Sequence, residues 1–570
     1  MKKRVVALLL TAVMALGLLA GCGDKKSAST PGEGDNTTPS SQSSSEADAP
    51  KDSGEVKKFT AFFAVEGAEI NDDNVIQKRI EELIGASVKE TWLTGQTAEE
   101  AVGMLIAGGE YPDFIVGSTG QPQLIEAGAF VAIDEYWDAY PNIKNFWSES
   151  EWNKVRSEDG HIYTIPQFGN EYMYDTETIH WDEAFWIQTR VLKWADYPEI
   201  NTVDELFDLL ERYIAENPTM EDGTANIAYE ILTDDWYYYC LENPPQFLDG
   251  YPNDGCVMVD VDSQDVMDYN TSETAKRWFA KLNEEYKKGI IDPECFTMSR
   301  DQYIEKVSSG RVLCMVDQYW NFNTAVDSIK ALGLEDCTYV PLGITMDSGV
   351  SEKYHSSSAI DVSNGVGVSV SCKDVDGAMK FLNDLLDKEI MILRFWGLEG
   401  VDYMVDANGL FFRTQDMRDN SVKAEYKASN ICSYSYFPFY EGMCLDGINA
   451  YAPGYQPAEF YESLLAPEKE CLAAYEKETF VQMLNPTTEL TPWYPMWSHS
   501  NNMTTATAGG LAWTKMGEVK HEWLPKVVIS DDFEGSWDKY MEVYEGCKPE
   551  DFLNEIQEEV YRRVEVASGN

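Results

Sequence analysis

From Lys57 onward, apolar positions recur with two periods, two residues in some stretches and about 3.6 in others, and the alternation predicts an α/β chain. Phe59 to Val65 is a β-rich apolar run. Val75, Ile76, Ile80, Leu83 and Ile84 return at helical spacing until Gly85 stops the helix. Thr97 and Glu100 form a capping box ahead of Ala101 to Ala107, and Gly108 and Gly109 end that helix. Asp113 to Val116 reads as a short buried strand running into Gly117-Ser118-Thr119. Ligands in such sheets sit beyond the carboxyl ends of the strands, so Ser118 is either a ligand contact or part of a plain turn.

The pattern continues through the chain. Thr202 and Glu205 make a second capping box before Leu206, Leu209, Leu210 and Ile214. Trp278, Leu282 and Tyr286 line a helix that Gly289 stops. Arg311 to Val316 is a strand leading into Asp317-Gln318-Tyr319-Trp320, and Asn364 to Val368 reads as a return strand. Ala378, Phe381, Leu382, Leu385 and Leu386 mark one helix face, and Asp551 to Arg563 a terminal helix.

The beginning of the chain has a different grammar. Lys2, Lys3 and Arg4 precede an apolar run from Val5 to Leu19, the two leading regions of a secretory signal, over residues 1–21. The run is too short to span a bilayer as a helix. Leu19-Ala20-Gly21-Cys22 resembles the bacterial lipobox, which implies cleavage before Cys22 and a lipid on it; the alternative is an ordinary signal with Cys22 incidental. Residues 22–56 are rich in Ser, Thr, Pro, Gly and acids, so they cannot bury enough surface to offset the entropy of ordering. They are expected to tether the remainder to the outer face of the membrane.

Charge removes one class of partner. The chain carries a formal charge of −54, from 98 acidic and 44 basic residues, and a molecule so acidic repels nucleic acid. The eleven cysteines include no CxxC pair; apolar settings such as Val312-Leu313-Cys314-Met315-Val316 favour buried thiols, although disulfides are permitted outside the cell.

Catalytic signatures are missing from the sequence: there is no HExxH, GxSxG or Walker loop, and no GxGxxG placed after a strand. The five histidines have no metal-ligand spacing. Asp260, Asp262, Asp265 and Asp268 lack the glycine and terminal glutamate of an EF-hand loop. Glu171 and Asp175 could be drawn as an acid and base for glycoside hydrolysis, but carboxylates are so abundant that such a pair can always be found. No metal or cofactor is expected.

Aromatic residues carry the sharper signal. They cluster at Trp236-Tyr237-Tyr238-Tyr239, Tyr319-Trp320, Phe395-Trp396, Tyr434-Ser435-Tyr436 and Trp493-Tyr494 with Trp497. A sugar ring has apolar C–H faces and a rim of hydroxyls, so its site needs flat aromatic platforms edged by polar side chains. Trp236 beside Asp235, Trp320 and Tyr319 beside Asp317, and Trp497 near Asn501 fit that need. With Trp396, Glu171 and Ser118 they are the candidate ligand contacts; core packing is the competing role for any one tryptophan.

Several motifs resemble, in order, those of family 1 of the bacterial extracellular solute-binding proteins, the receptors of ABC importers for sugars. They are Met104 to Asp113, Gly128 to Asp134, Asp159 to Pro166, Gly289-Ile290-Ile291-Asp292-Pro293-Glu294, Gly397 to Tyr403 with Asp406 to Gly409, and the tail from Ser530. The resemblance covers nearly all of residues 57–565, and the stretch Gly397 to Gly409 and the tail are similar to the lipoprotein branch serving complex-sugar importers. Trp236 to Val259 and Asn430 to Tyr455 depart from it by being longer and more aromatic.

The resemblance implies a two-lobed periplasmic-binding-protein-like α/β fold of the type 2 arrangement, with the ligand between lobes. Lobe 1 is expected over 57–168 and 365–412, lobe 2 over 169–362 and 415–570, with crossings near 167–172, 363–367 and 411–414. It further implies a monomeric, non-enzymatic lipoprotein that binds an oligosaccharide and hands it to permease subunits. A secreted carbohydrate-active enzyme and a receptor for peptides or another solute are the alternatives.

Overall fold

A computed structural model describes residues 56–568 except 69, 158, 171, 172, 358, 359, 444, 445, 489 and 490. The signal sequence, Cys22, the tether to residue 55 and Glu171 lie outside the described residues.

Strand β1 (Lys57–Phe63) runs parallel to β2 (Ala86–Trp92), Lys57 opposite Ala86 and Phe63 opposite Trp92, and parallel to β3 (Phe114–Val116) on its other edge. The parallel crossovers are helices whose ends the sequence encodes locally. Helix Val75–Ile84 starts at Asn74, whose side chain accepts the Gln77 N–H, and stops at Gly85 with φ +71°. Helix Ala98–Gly108 starts in the Thr97–Glu100 capping box. Phe59, Ala61 and Phe63 point inward from β1, and all three residues of β3 are buried.

A second sheet is built around β4 (Glu183–Gln188), buried at all six positions. It is antiparallel to both neighbours, β5 (Cys314–Gln318) and β6 (Tyr339–Leu342). Along the other edge of β5, residues 227–230 run parallel, with Ile227 opposite Val312 and Glu230 opposite Met315. The chain then returns as β7 (Gly367–Val368), antiparallel to β3, giving the first sheet the order β2-β1-β3-β7.

Two main hydrophobic cores follow from the two sheets. The first joins Phe59, Phe114 and Ile165 to Val366, Phe381 and Phe437; the second joins Phe185, Trp186 and Trp278 to Leu472, Tyr540 and Phe552. The chain passes from first to second between Phe168 and Ile179 and returns between Tyr354 and Ile360. The third passage corrects the sequence expectation. Cys432, Tyr434 and Phe437 belong to the first core, so the chain leaves it between Tyr455 and Phe460 rather than at 411–414. The reason is packing: Arg394 is buried and donates to the carbonyls of Ser433, Tyr434 and Pro438, which fixes the aromatic segment onto lobe 1. Nine cysteines of the described residues are buried free thiols.

Candidate functional site

The parallel segments of the second sheet deliver two tryptophans to one edge. Glu230 pairs with Met315; a few residues beyond each partner, past the carboxyl ends, stand Trp236 and Trp320. Their rings lie 7° from parallel with centroids 5.6 Å apart, and Tyr237 stacks on Trp236 at 4.2 Å. Both indoles are open to solvent, 47% for Trp236 and 38% for Trp320. Asp235 holds the turn before Trp236 in the left-handed region at φ +47°, which aspartate tolerates better than most side chains. Gln318 accepts the Trp320 indole N–H and fixes that ring.

Arg300, the first residue of helix Arg300–Ser308, borders this platform. Its Nε donates to Asn321 Oδ1 at 2.8 Å and Nη2 to the Asn321 carbonyl at 3.2 Å. Its guanidinium lies 5.3 Å over the Tyr237 ring, and its backbone N–H donates to Asp234 at 2.9 Å.

Lobe 1 answers with the carboxyl ends of its own strands. Glu66 follows β1 and places Oε2 3.6 Å from Arg300 Nη1. Trp92 ends β2 and lies so close over Gly67 that an added Cβ would sit 2.1 Å from its ring. Tyr436 stacks on Phe63 at 5.3 Å and meets Trp92 and Phe168 edge-on at 5.4 and 5.5 Å. Burial pushes the Tyr436 phenol up to about 12, against the pull of Arg300. The Asp235 carboxyl is also pushed up, first by burial and then by the negative charge of Glu99 on lobe 1. The two strand-end edges therefore face one another, with Glu66 and Arg300 paired between them.

Polar side chains at the end of β2 and beside the first passage between lobes are left unspent. Trp92 Nε1, Thr176 Oγ1, Trp181 Nε1 and both amide atoms of Gln167 are buried without a hydrogen-bond partner among the described residues. Buried polar groups are nearly always bonded, and these five atoms are among the exceptions in the described residues.

A family model of bacterial extracellular solute-binding proteins matches residues 78–398, more than half of the chain. The chain belongs to this family. Lipoprotein LipO of Bacillus subtilis is 22% identical over 453 residues, covering 76% of this chain and 79% of LipO. The fructooligosaccharide ABC transporter substrate-binding protein FusA of Streptococcus pneumoniae is 25% identical over 324 residues, 53% of this chain and 54% of FusA. Among solved structures, FusA in complex with kestose superposes with a TM-score of 0.61 at 16% identity, over 89% of this chain and 99% of that one. The alginate-binding protein AlgQ2 gives 0.61 at 16% identity, over 89% and 98%. The shared fold is that of two-lobed solute-binding proteins.

In this solute-binding protein the sequence-derived candidates divide. Trp236, Asp235 and Trp320 come together on the lobe 2 edge, and Ser118, at φ +50°, stands past β3 on the lobe 1 edge. Tyr319 turns away from Trp320, packing on Trp186 at 5.1 Å and Trp181 at 5.4 Å. Trp497 seats beside Gly255 and donates its backbone N–H to Asp254. Two candidates are corrected. Asp317 is fully buried and its carboxylate accepts from Tyr303 at 2.6 Å, Tyr239 at 3.1 Å and Asn321 at 3.0 Å, so it holds the interior together. Trp396 is 1% exposed, packed on Tyr403 and Phe411 with its indole N–H given to the Ala450 carbonyl. Sequence reading missed Tyr237, Arg300, Glu66, Glu99 and Tyr436. Tyr237 and Tyr436 lay inside quoted aromatic clusters, whereas nothing local to Arg300 or Glu66 announces a partner more than two hundred residues away.

Proposed function

We propose that the chain captures an oligosaccharide between its lobes and presents it, unaltered, to the permease of an ABC importer, while Cys22 anchors it by lipid to the outer face of the membrane. One observation carries the reading: the exposed, parallel Trp236–Trp320 pair, edged by Asp235, Gln318 and Arg300, facing Glu66 and Tyr436 of the other lobe. Flat apolar faces ringed by donors and acceptors match the two-sided chemistry of a sugar. The likeness to FusA, a fructooligosaccharide ABC transporter substrate-binding protein, supports the same class of cargo. Binding would favour lobe closure only by the ligand's extra affinity for the closed form, and the closed form is what the permease would read.

The test is thermal unfolding of the purified protein against a panel of plant, host and bacterial glycans, with reducing ends followed in the same wells. A ligand at ~100 times its dissociation constant adds about 2.7 kcal/mol to the folded state. A shift with one glycan class and no new reducing ends is the expected outcome. No shift with any glycan refutes the carbohydrate reading, and consumption of the ligand would make the protein an enzyme.

A further inference from the structure

A two-lobed fold shared with an alginate-binding protein leaves the charge of the cargo open, because alginate is a polyuronate. Here the charged side chains around the platform are unequal in number. Among the described residues, Glu66 approaches from lobe 1 and Asp234 and Asp235 from lobe 2, the charge of Glu99 on lobe 1 acts on Asp235, and Arg300 is the cation that borders the platform. That cation is already committed. Its Nε and Nη2 are spent on Asn321, its Nη1 pairs with Glu66, and its face covers Tyr237. A bidentate guanidinium grip on a ligand carboxylate needs two N–H donors on one edge; the Nε–Nη2 edge of Arg300 is turned to Asn321, and Glu66 already balances the charge beside Nη1.

Two nearby groups fail to restore the balance. His521 stacks on Tyr238 at 3.9 Å, and burial pushes its imidazole down from the usual histidine value, against gaining charge. Lys427 of lobe 1 is paired with Asp327 of lobe 2 and adds no net charge. Beyond the site, the charge of −54 sets a negative potential that slows the approach of any anion.

We propose that this site, taken as the glycan site argued above, selects uncharged oligosaccharides and excludes those bearing uronate, sulfate or other acidic groups at the rings stacked on Trp236 and Trp320. The selection is repulsive. It comes from four carboxylates surrounding the platform and from a guanidinium already occupied by its own protein, rather than from any contact that a neutral sugar makes better.

The experiment starts from whichever glycan shifts the unfolding temperature in the panel. Its counterpart with carboxylates at C6, made by oxidising the primary alcohols, is titrated beside it by calorimetry. The neutral form is expected to bind at least tenfold more tightly, a difference of about 1.4 kcal/mol. The gap should narrow at least threefold in the Glu99→Gln/Asp235→Asn double variant, and also in about 0.5 M salt, where charges more than a few ångströms apart are screened. A panel ligand that is itself acidic, an oxidised form that binds as tightly as its parent, or a gap unmoved by the double variant overturns the proposal and leaves glycan capture standing. Absence of binding to every glycan instead removes the function on which the proposal rests, and the two failures are thereby told apart.

Discussion

Asp317 and Trp320 stand three residues apart at the end of β5, yet Asp317 is wholly buried while 38% of Trp320 faces solvent. The first is enclosed by Tyr239, Tyr303 and Asn321; the second lies flat on Trp236 with its edge held by Gln318. The two regions are linked through one side chain. Asn321 donates to Asp317 from its Nδ2 and accepts Arg300 Nε on its Oδ1, so the buried carboxylate sets the amide that positions the rim guanidinium. An interior network that is fully bonded makes a rigid base, and the open face is left to exchange partners. Trp396 belongs wholly to the first kind of region and Trp236 to the second.

The largest effects should therefore come from the interior. Trp396→Ala removes a ring packed on Tyr403 and Phe411 and is expected to cost roughly 3–5 kcal/mol in urea unfolding, with ligand affinity unchanged. Asp317→Ala leaves two buried hydroxyls and an amide without an acceptor, a loss of about 3 kcal/mol. It should also weaken binding through Arg300, and that double signature separates it from Trp396. If both variants lost stability alone, the link from interior to rim would be wrong. At the rim the order reverses: Trp236→Ala and Trp320→Ala should each weaken glycan binding by about 2 kcal/mol, close to thirtyfold, and change stability by less than ~1 kcal/mol. Wild-type affinity in both would remove the platform from the site.

Local chemistry made most of the fold legible in advance, and long-range chemistry made the rest illegible. The caps at Thr97, Thr202 and Gly289 are written within four residues of the helix ends they specify. The same holds for the buried alternation of β1. Whether a tryptophan ends inside or outside is decided by partners far along the chain: Trp396 is closed over by the segment carrying Ala450, and the third passage is displaced because Arg394 captures carbonyls from Ser433 to Pro438. Asp317 and Asp235 look equivalent in sequence, each next to an aromatic cluster. Only the strand edge on which each falls distinguishes them.

Buried and rim carboxylates should also differ in their response to pH. Asp254 lies inside lobe 2, where burial pushes its carboxyl up to about 7 against the backbone N–H groups of Met496 and Trp497. Its ordinary value is 3.8. The folded value lies above the unfolded one, so the folded state holds the proton more tightly, and this stabilisation is complete below about pH 4 and is lost as pH rises through 7. From pH 5 to pH 8 the wild type should lose about 3 kcal/mol relative to Asp254→Asn, whose amide oxygen keeps the two backbone donors. Parallel pH profiles for the two proteins would show that this carboxyl does not titrate on unfolding.

The smallest effect tests whether the lobes are held by charge or by the guest. Glu66 and Arg300 are the ion pair that reaches across the platform, at 3.6 Å, with the Glu66 side chain 55% exposed. A pair so open to water is worth less than ~1 kcal/mol. Glu66→Gln should accordingly shift the affinity for a neutral glycan by less than about fivefold and lose even that effect in high salt. The same substitution removes one of the four carboxylates around the platform and frees Arg300 Nη1, so binding of the C6-oxidised glycan should improve more than binding of its parent. A large loss of neutral-glycan affinity would mean that Glu66 contacts the sugar directly, and the site would then be organised around its carboxylates as much as around its tryptophans.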